Sequence, residues 1–123
     1  MRIRPIDNNT NFNGRFIYDA NLSINQLKNF RLALQDFDIY SKDYNLRIFN
    51  DFGMGTINGK HYVCVTAESE DRKKQLDILI NPYEQRKLKS IKEMVTKASE
   101  SYEKKYKSFW GQLKNIFMQI KIK

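Results

Sequence analysis

The stretch that most constrains the fold is the last third of the chain, after Asn81. Apolar residues recur there every three or four positions, the spacing that places side chains on one face of an α-helix. They are Leu88, Ile91, Val95, Ala98, Tyr102, Tyr106, Phe109, Leu113, Ile116 and Ile120. Asn81 can cap a helix, and Pro82 suits its first turn because proline lacks the N–H that would be unused there. The pattern predicts one long amphipathic helix over residues 82–123.

The length of this helix limits how it can pack. An unbroken helix over residues 82–123 would extend roughly 60 Å, at about 1.5 Å per residue. The preceding residues should form a body only about 25 Å across. The helix must therefore project beyond that body, fold back near Gly111 or pair with another chain. A bend at Gly111 remains an alternative because glycine costs about 1 kcal/mol relative to alanine within a helix.

The first two-thirds of the chain carry signals of both strands and a helix. Residues 14–18 are rich in β-favouring side chains, which predicts a short strand. Ser23 and Gln26 have the spacing of a capping box, so a helix is expected over residues 24–37. Residues 46–49 and 76–80 are further strand candidates, and a tight turn is expected at residues 50–51.

The clearest local signal is Asn58-Gly59, which lies between two strand-like runs. This dipeptide is typical of a two-residue type I′ hairpin. In that register Met54 pairs with Val63, and Phe52 pairs with Val65. One face of the hairpin must then lie in the core. Its residues are Phe52, Met54, Val63 and Val65.

These elements together predict an α+β fold. The expected architecture is an antiparallel meander of four or five strands, packed against an N-terminal helix and a long C-terminal amphipathic helix. We expect a flexible N-terminal arm over residues 1–13 and a strand–helix–meander body over residues 14–81. The basic helix over residues 82–123 belongs to the same domain, with an end that can project.

The composition favours a reducing compartment. Cys64 is the single cysteine, so no internal disulfide can form. The first residues lack the apolar segment of a signal peptide, and no apolar run is long enough to span a membrane. We therefore expect a cytoplasmic location.

No group of residues indicates catalysis. His61 and Cys64 are three positions apart, so on a strand they point to opposite faces and cannot form a nucleophile–base pair. Gly53 and Gly55 do not have the spacing of a dinucleotide fingerprint. Most of the carboxylates lie in predicted connections and are best explained as solvated charges. We expect no enzymatic activity, no catalytic residue, no cofactor and no bound metal.

Positive charge is concentrated in the C-terminal helix. The chain has a formal net charge of +8, of which residues 82–123 contribute +7. A nucleic-acid-binding surface would use these cations to contact phosphates. The expected contacts are Arg86, Lys97, Lys104, Lys107 and Lys114. The cations cover the whole polar face, however, and Glu93, Glu100 and Glu103 interrupt them, as is typical of a merely solvated face.

The last fifteen residues are apolar around much of the helix circumference. A second surface is expected to cover their large side chains, which are Phe109, Trp110, Leu113, Ile116, Phe117 and Ile120. We therefore expect a small non-catalytic interaction or structural accessory protein that assembles with itself or a larger partner. The alternatives are non-specific nucleic-acid binding through the basic helix and, less favoured, binding to an anionic membrane surface.

Overall fold

The computed structural model of this chain describes residues 12–108. In chain order its elements are β1 (Phe16–Tyr18), α1 (Ile24–Ala33), β2 (Asn45–Ile57), β3 (Lys60–Glu68), β4 (Gln75–Ile80), a 3-10 turn (Glu84–Arg86), α2 (Leu88–Glu103) and a π-helical turn (Lys104–Ser108). The α+β class is confirmed.

The sheet is mixed, so the expectation of a purely antiparallel meander is wrong. The strand order is β1-β2-β3-β4, and β1 pairs in parallel with β2 while the other two pairings are antiparallel. Phe16 lies opposite Leu46 and Tyr18 lies opposite Ile48. The reason is the connection: α1 carries the chain back along the sheet before β2 begins, and a crossover of this kind joins parallel strands.

Strand β2 runs through the turn predicted at residues 50–51. Asn50 pairs with Val63 and Asp51 pairs with Tyr62. The backbone N–H of Asn50 donates to Oδ1 of Asn21, at 3.0 Å, so this asparagine is held within the sheet by a partner far along the chain. Asn50 therefore forms a tertiary contact with Asn21, which its turn propensity does not predict.

The hairpin turn is confirmed, but the register inferred from it is wrong. Asn58 and Gly59 have φ values of 52° and 76°, and Ile57 pairs with Lys60. Between Asp51 and Thr56 the pairing shifts, so that residues 52–55 bulge out of the ladder. The Asp51 carboxylate accepts the Gly53 N–H at 2.9 Å, which stabilises the bulge.

The bulge moves two expected core residues into solvent. Phe52 is 58% exposed and Met54 is 51% exposed. Ile48 takes the place opposite Val65, where it is fully buried. The two β3 residues expected in the core, Val63 and Val65, are also fully buried.

The two helices pack against one face of the sheet. The capping box of α1 is present, with Ser23 and Gln26 each bonding the other's backbone N–H. The helix ends at Ala33, earlier than residue 37. Phe30 on α1 is completely buried against the core.

Helix α2 begins later than the sequence signals indicated. The Asn81 side chain accepts the Glu84 N–H at 2.9 Å, so it caps the 3-10 turn, and α2 itself begins at Leu88 without a side-chain cap. Short 3-10 turns leave the same N–H groups free as α-helices do, so the same cap residue serves both.

The predicted apolar face of α2 is confirmed over the described residues. Ile91, Val95, Ala98 and Tyr102 are buried, whereas Leu88 is 44% exposed at the first turn. The part of this face beyond residue 108, and the alternative bend at Gly111, lie outside the described residues.

Candidate functional site

The described residues end just before the expected partner-binding surface. Tyr106 donates its phenol hydroxyl to the Gln75 carbonyl at 3.1 Å, and Gln75 is the first residue of β4. Helix α2 and the π-helical turn have by then run back along the whole of β4. The residues of the expected surface follow outside the described range: Phe109, Trp110, Leu113, Ile116, Phe117 and Ile120.

The expected phosphate contacts are distributed over different environments. Arg86 lies in the 3-10 turn, away from the helical cations. Lys97 and Lys104 are exposed, and Lys107 forms an ion pair with Asp43 at 2.5 Å. Lys114 lies outside the described residues. The four described cations therefore do not form a single continuous stripe along one helix.

A polar cleft of about 520 Å³ lies where α1, the turn end of the hairpin and the 3-10 turn meet. Three cations line it: Lys28 of α1, Lys60 of β3 and Arg86. His61 and several side-chain amides complete the lining. Among the described residues that line this cleft, none is Asp or Glu. We call it the amide cleft.

The inner part of the amide cleft is a closed network of three amides. Gln26 Nε2 donates to Asn50 Oδ1 at 2.9 Å and to Gln85 Oε1 at 3.0 Å, while Asn50 Nδ2 donates to Gln26 Oε1 at 2.9 Å. Gln85 Nε2 donates in turn to the carbonyl oxygens of His61 and Ile80, at 3.0 and 3.1 Å. Three separate elements are thereby joined without any charged group.

His61 and Cys64 lie on opposite faces of the sheet, as their spacing predicts. His61 lines the amide cleft, and its ring meets the edge of Phe52 with centroids 4.5 Å apart. Its Nδ1 atom is buried and has no hydrogen-bond partner within residues 12–108. Cys64 faces the other side, 3.5 Å from the Thr66 hydroxyl, and burial raises the pKa of its thiol to about 11. Cys64 is therefore a protonated thiol at neutral pH and a poor nucleophile.

A second polar cluster joins α2 to the loop before β2. The buried Tyr44 hydroxyl bonds Ser99 and Glu103, and Glu103 also pairs with Lys42 at 3.0 Å. Burial and the hydrogen bond to Glu103 raise the pKa of Tyr44. Burial also disfavours the charge of Glu103, but hydrogen bonds from Tyr44 and Lys42 outweigh it and hold the pKa of this carboxyl below its usual range. The charges of Lys42 and Glu103 are paired with each other within the cluster, which therefore acts as a structural contact between α2 and the loop before β2.

The sheet face opposite the helices holds a third cluster. The Glu68 side chain is 2% exposed, between Arg47 at 3.0 Å and Arg72 at 3.5 Å. Nearby, the Thr66 hydroxyl donates to Asp77 at 2.7 Å. The guanidinium groups in this cluster thus have carboxylate partners inside the protein. In the amide cleft, by contrast, none of the three cations forms an ion pair with another described residue.

Sequence reasoning missed the amide cleft because its parts come from distant positions. Gln26, Asn50 and Gln85 are separated by 24 to 59 residues, and each has a local explanation. Gln26 belongs to a capping box and Asn50 resembles a turn residue. The only cue in the sequence is Arg86, which stands apart from the helical cations.

Comparison with known proteins returns no relative: no family model, no curated protein and no solved structure matches this chain. Across residues 12–108, no helix has both the length and the apolar character needed to cross a membrane. Over the same range, no set of three or more His, Cys, Asp or Glu side chains is arranged to hold a metal ion.

Proposed function

We propose that this chain is a small non-catalytic interaction or structural accessory protein that assembles through its C-terminal helix. The observation that carries the proposal is the bond between Tyr106 and Gln75 at the start of β4. At this bond the C-terminal helical segment lies beside the end of the sheet where β4 begins. Fifteen residues follow Ser108, and six of them carry the large apolar side chains of the expected surface.

The core of the described body supports this proposal. Its central residues are fully buried on both layers, with Leu46 and Val65 on the sheet and Ile91 and Val95 on α2 all at 0% exposure. Tyr102 and Tyr106 then pack ring to ring, with centroids 5.0 Å apart, at the edge of this core. A well-filled core has little room for further large side chains, because protein interiors are packed as densely as organic crystals. The large apolar side chains that follow are therefore expected to pack against a partner and not against this core.

The free energy that apolar burial can supply is comparable with the cost of association. Burying one large apolar side chain contributes roughly 1.5–3 kcal/mol. Burying three or four of them would contribute on the order of 5–10 kcal/mol before the costs of association. A symmetric pair of chains would bury two such sets, since the same patch contributes from both copies.

Sedimentation velocity of the full chain and of a chain ending at Ser108 tests the proposal. The full chain should sediment as a dimer or larger assembly. The shortened chain should be a monomer that unfolds cooperatively, with a far-ultraviolet circular dichroism signal reduced only by the helical residues that were removed. A full-length monomer whose fold collapses on truncation would show that the segment covers its own body.

A matched pair of substitutions within the segment separates apolar burial from added charge. Ile116→Asp should abolish assembly because it places a carboxylate in the apolar surface. Asn115→Asp adds the same charge at a neighbouring polar position and should leave assembly intact. Equal effects of the two substitutions would count against an apolar interface.

Nucleic-acid binding through the basic residues is the alternative proposal. It is favoured by the exposure of Lys97 and Lys104, and it is weakened by the ion pair between Lys107 and Asp43. Retention on immobilised DNA distinguishes the two proposals. Binding through several phosphates falls steeply as salt rises, whereas an apolar helix interface hardly responds to salt. Co-sedimentation with anionic vesicles tests the third option, binding to a membrane surface.

A further inference from the structure

We propose that the amide cleft binds a phosphorylated small molecule. This inference is independent of assembly through the C-terminal helix, because it uses other residues. It starts from the charge of the cleft: Lys28, Lys60 and Arg86 line one concavity. None of them has an ion-pair partner among residues 12–108, which is also true of most other cations in that range, so the distinguishing feature is that three of them meet in one concavity.

The three cations are exposed at the cleft, whereas the amides of the network are partly or fully buried. Gln26, Asn50 and Gln85 satisfy one another and neighbouring carbonyl groups, so the cleft is held in shape without a buried carboxylate. Cations that converge on a carboxylate-free concavity focus a positive potential into it. An anion from solution is the natural counter-charge.

The unsatisfied His61 imidazole is a second and separate observation. Its buried Nδ1 has no partner within the described chain, and a buried polar atom without a hydrogen bond is uncommon in folded proteins. His61 lines the same cleft as the three cations. Nδ1 is enclosed by the protein itself, so a ligand in the cleft would contact the part of the imidazole that lines it.

The chemistry of the lining favours phosphate over a simple carboxylate. Arginine presents a planar fork that matches phosphate oxygens, and lysine ammonium groups add point charges to the same anion. Three cations suit a ligand with more than one negative charge. Asn25 and Asn29 also line the cleft and offer amide donors and acceptors for an uncharged part of the ligand. The volume of about 520 Å³ is within the range of small-molecule sites.

Isothermal titration of the full chain with inorganic pyrophosphate, at constant ionic strength, tests the proposal. Saturable binding of one pyrophosphate per chain is expected. Lys60→Ala and Arg86→Ala should each weaken binding by about tenfold, the typical effect of losing one charge-assisted hydrogen bond. The matched controls Lys97→Ala and Lys104→Ala remove exposed cations outside the cleft and should leave the affinity within about twofold. Equal losses in the cleft and control variants would overturn the proposal, as would the absence of saturation.

An isosteric substitution provides a test that removes no cation. Asn29→Asp places a carboxylate in the cleft and should weaken pyrophosphate binding, whereas Gln35→Glu adds the same charge at an exposed position elsewhere and should not. Thermal unfolding of each variant without ligand confirms that the fold is retained. Unchanged affinity in Asn29→Asp would place the anion outside the cleft and refute the assignment.

The imidazole of His61 reports the position of the ligand directly. His61 is the single histidine of the chain, so its ring resonances in a nuclear magnetic resonance spectrum need no further assignment. Pyrophosphate should shift them in the wild-type chain and not in Arg86→Ala at the same concentration. Tighter binding of a short oligonucleotide, weakened equally by Lys97→Ala, would instead identify a nucleic-acid surface and overturn the small-molecule assignment.

Discussion

One substitution before the β2 bulge and one within it test the described fold most sharply. Ile48 precedes the bulge, lies opposite Val65 and is fully buried. Met54 lies within the bulge and is 51% exposed. The register expected from the Asn58-Gly59 turn alone would place Met54 in the core. Truncating Met54 to alanine therefore gives different results under the two registers, and Ile48→Ala is the reference for a fully buried side chain.

The magnitudes follow from the burial of the two side chains. Ile48→Ala removes a fully buried side chain and leaves a cavity, which typically costs about 2–5 kcal/mol. Met54→Ala removes a side chain that keeps half of its surface in water, so the cost should be about 1 kcal/mol or less. One kcal/mol shifts the melting temperature by roughly 3–6 °C in a domain of this size. Ile48→Ala should lower it by roughly 10 °C or more, and Met54→Ala by only a few degrees.

Urea denaturation followed by circular dichroism measures both costs as free energies of unfolding. The dependence of that free energy on urea should be the same in both variants, because neither changes the surface exposed on unfolding by much. If Met54→Ala proved as costly as Ile48→Ala, the bulge and the pairing of β2 with β3 would both be refuted.

Two further substitutions test the loop that leads into β2. Tyr44→Phe should lower the free energy of unfolding by about 1–3 kcal/mol in urea denaturation, because Ser99 and Glu103 lose a buried hydrogen-bond partner. Since the pKa of Tyr44 is raised in the folded protein, its contribution to the free energy of unfolding should be fully present below about pH 10 and should fall as the pH rises above that value. The Phe variant should lose less stability over that alkaline range, and an identical loss would contradict the assignment. Gly14→Ala should cost about 1–3 kcal/mol, because a Cβ atom there would overlap the carbonyl oxygens of Tyr44 and Ile39, the latter at 2.8 Å. Gly53→Ala is the matched control, since its Cβ would meet only the Asp51 carboxylate at 3.3 Å, and an equally large loss there would undermine the steric explanation.

The features that the sequence predicted correctly are those determined within a few residues. The capping box of α1 involves Ser23 and Gln26, and the type I′ turn involves Asn58 and Gly59. Each is specified by the hydrogen bonds or backbone angles of adjacent residues, so its signal survives without knowledge of the fold. The apolar face of α2 was predictable for a similar reason, because helical periodicity is a local property.

Sheet register and strand direction were not predictable in this way. The turn fixes the pairing only as far as Thr56 with His61, after which residues 52–55 leave the ladder. The alternation of apolar and polar side chains does not predict the bulge, because Gly53 and Gly55 have no side chain to place on either face. The parallel pairing of β1 depends on how α1 packs, which is a tertiary choice. Asn81 misled for a different reason: 3-10 turns and α-helices share the same cap.

The amide cleft shows why a group of residues can be absent from every local pattern and still be brought together by the fold. Gln85 has its amide nitrogen bonded to the carbonyl oxygens of His61 and Ile80, and its oxygen bonded to Gln26. Removing the Gln85 side chain would break its hydrogen bonds to these two carbonyl oxygens, each worth about 0.5–1.5 kcal/mol, so its loss would be detected as instability before any ligand is added. The cations at the cleft contribute nothing comparable to the fold, because none is paired within the described chain. Lys60 and Arg86 are therefore the positions at which the proposed binding can be separated from stability.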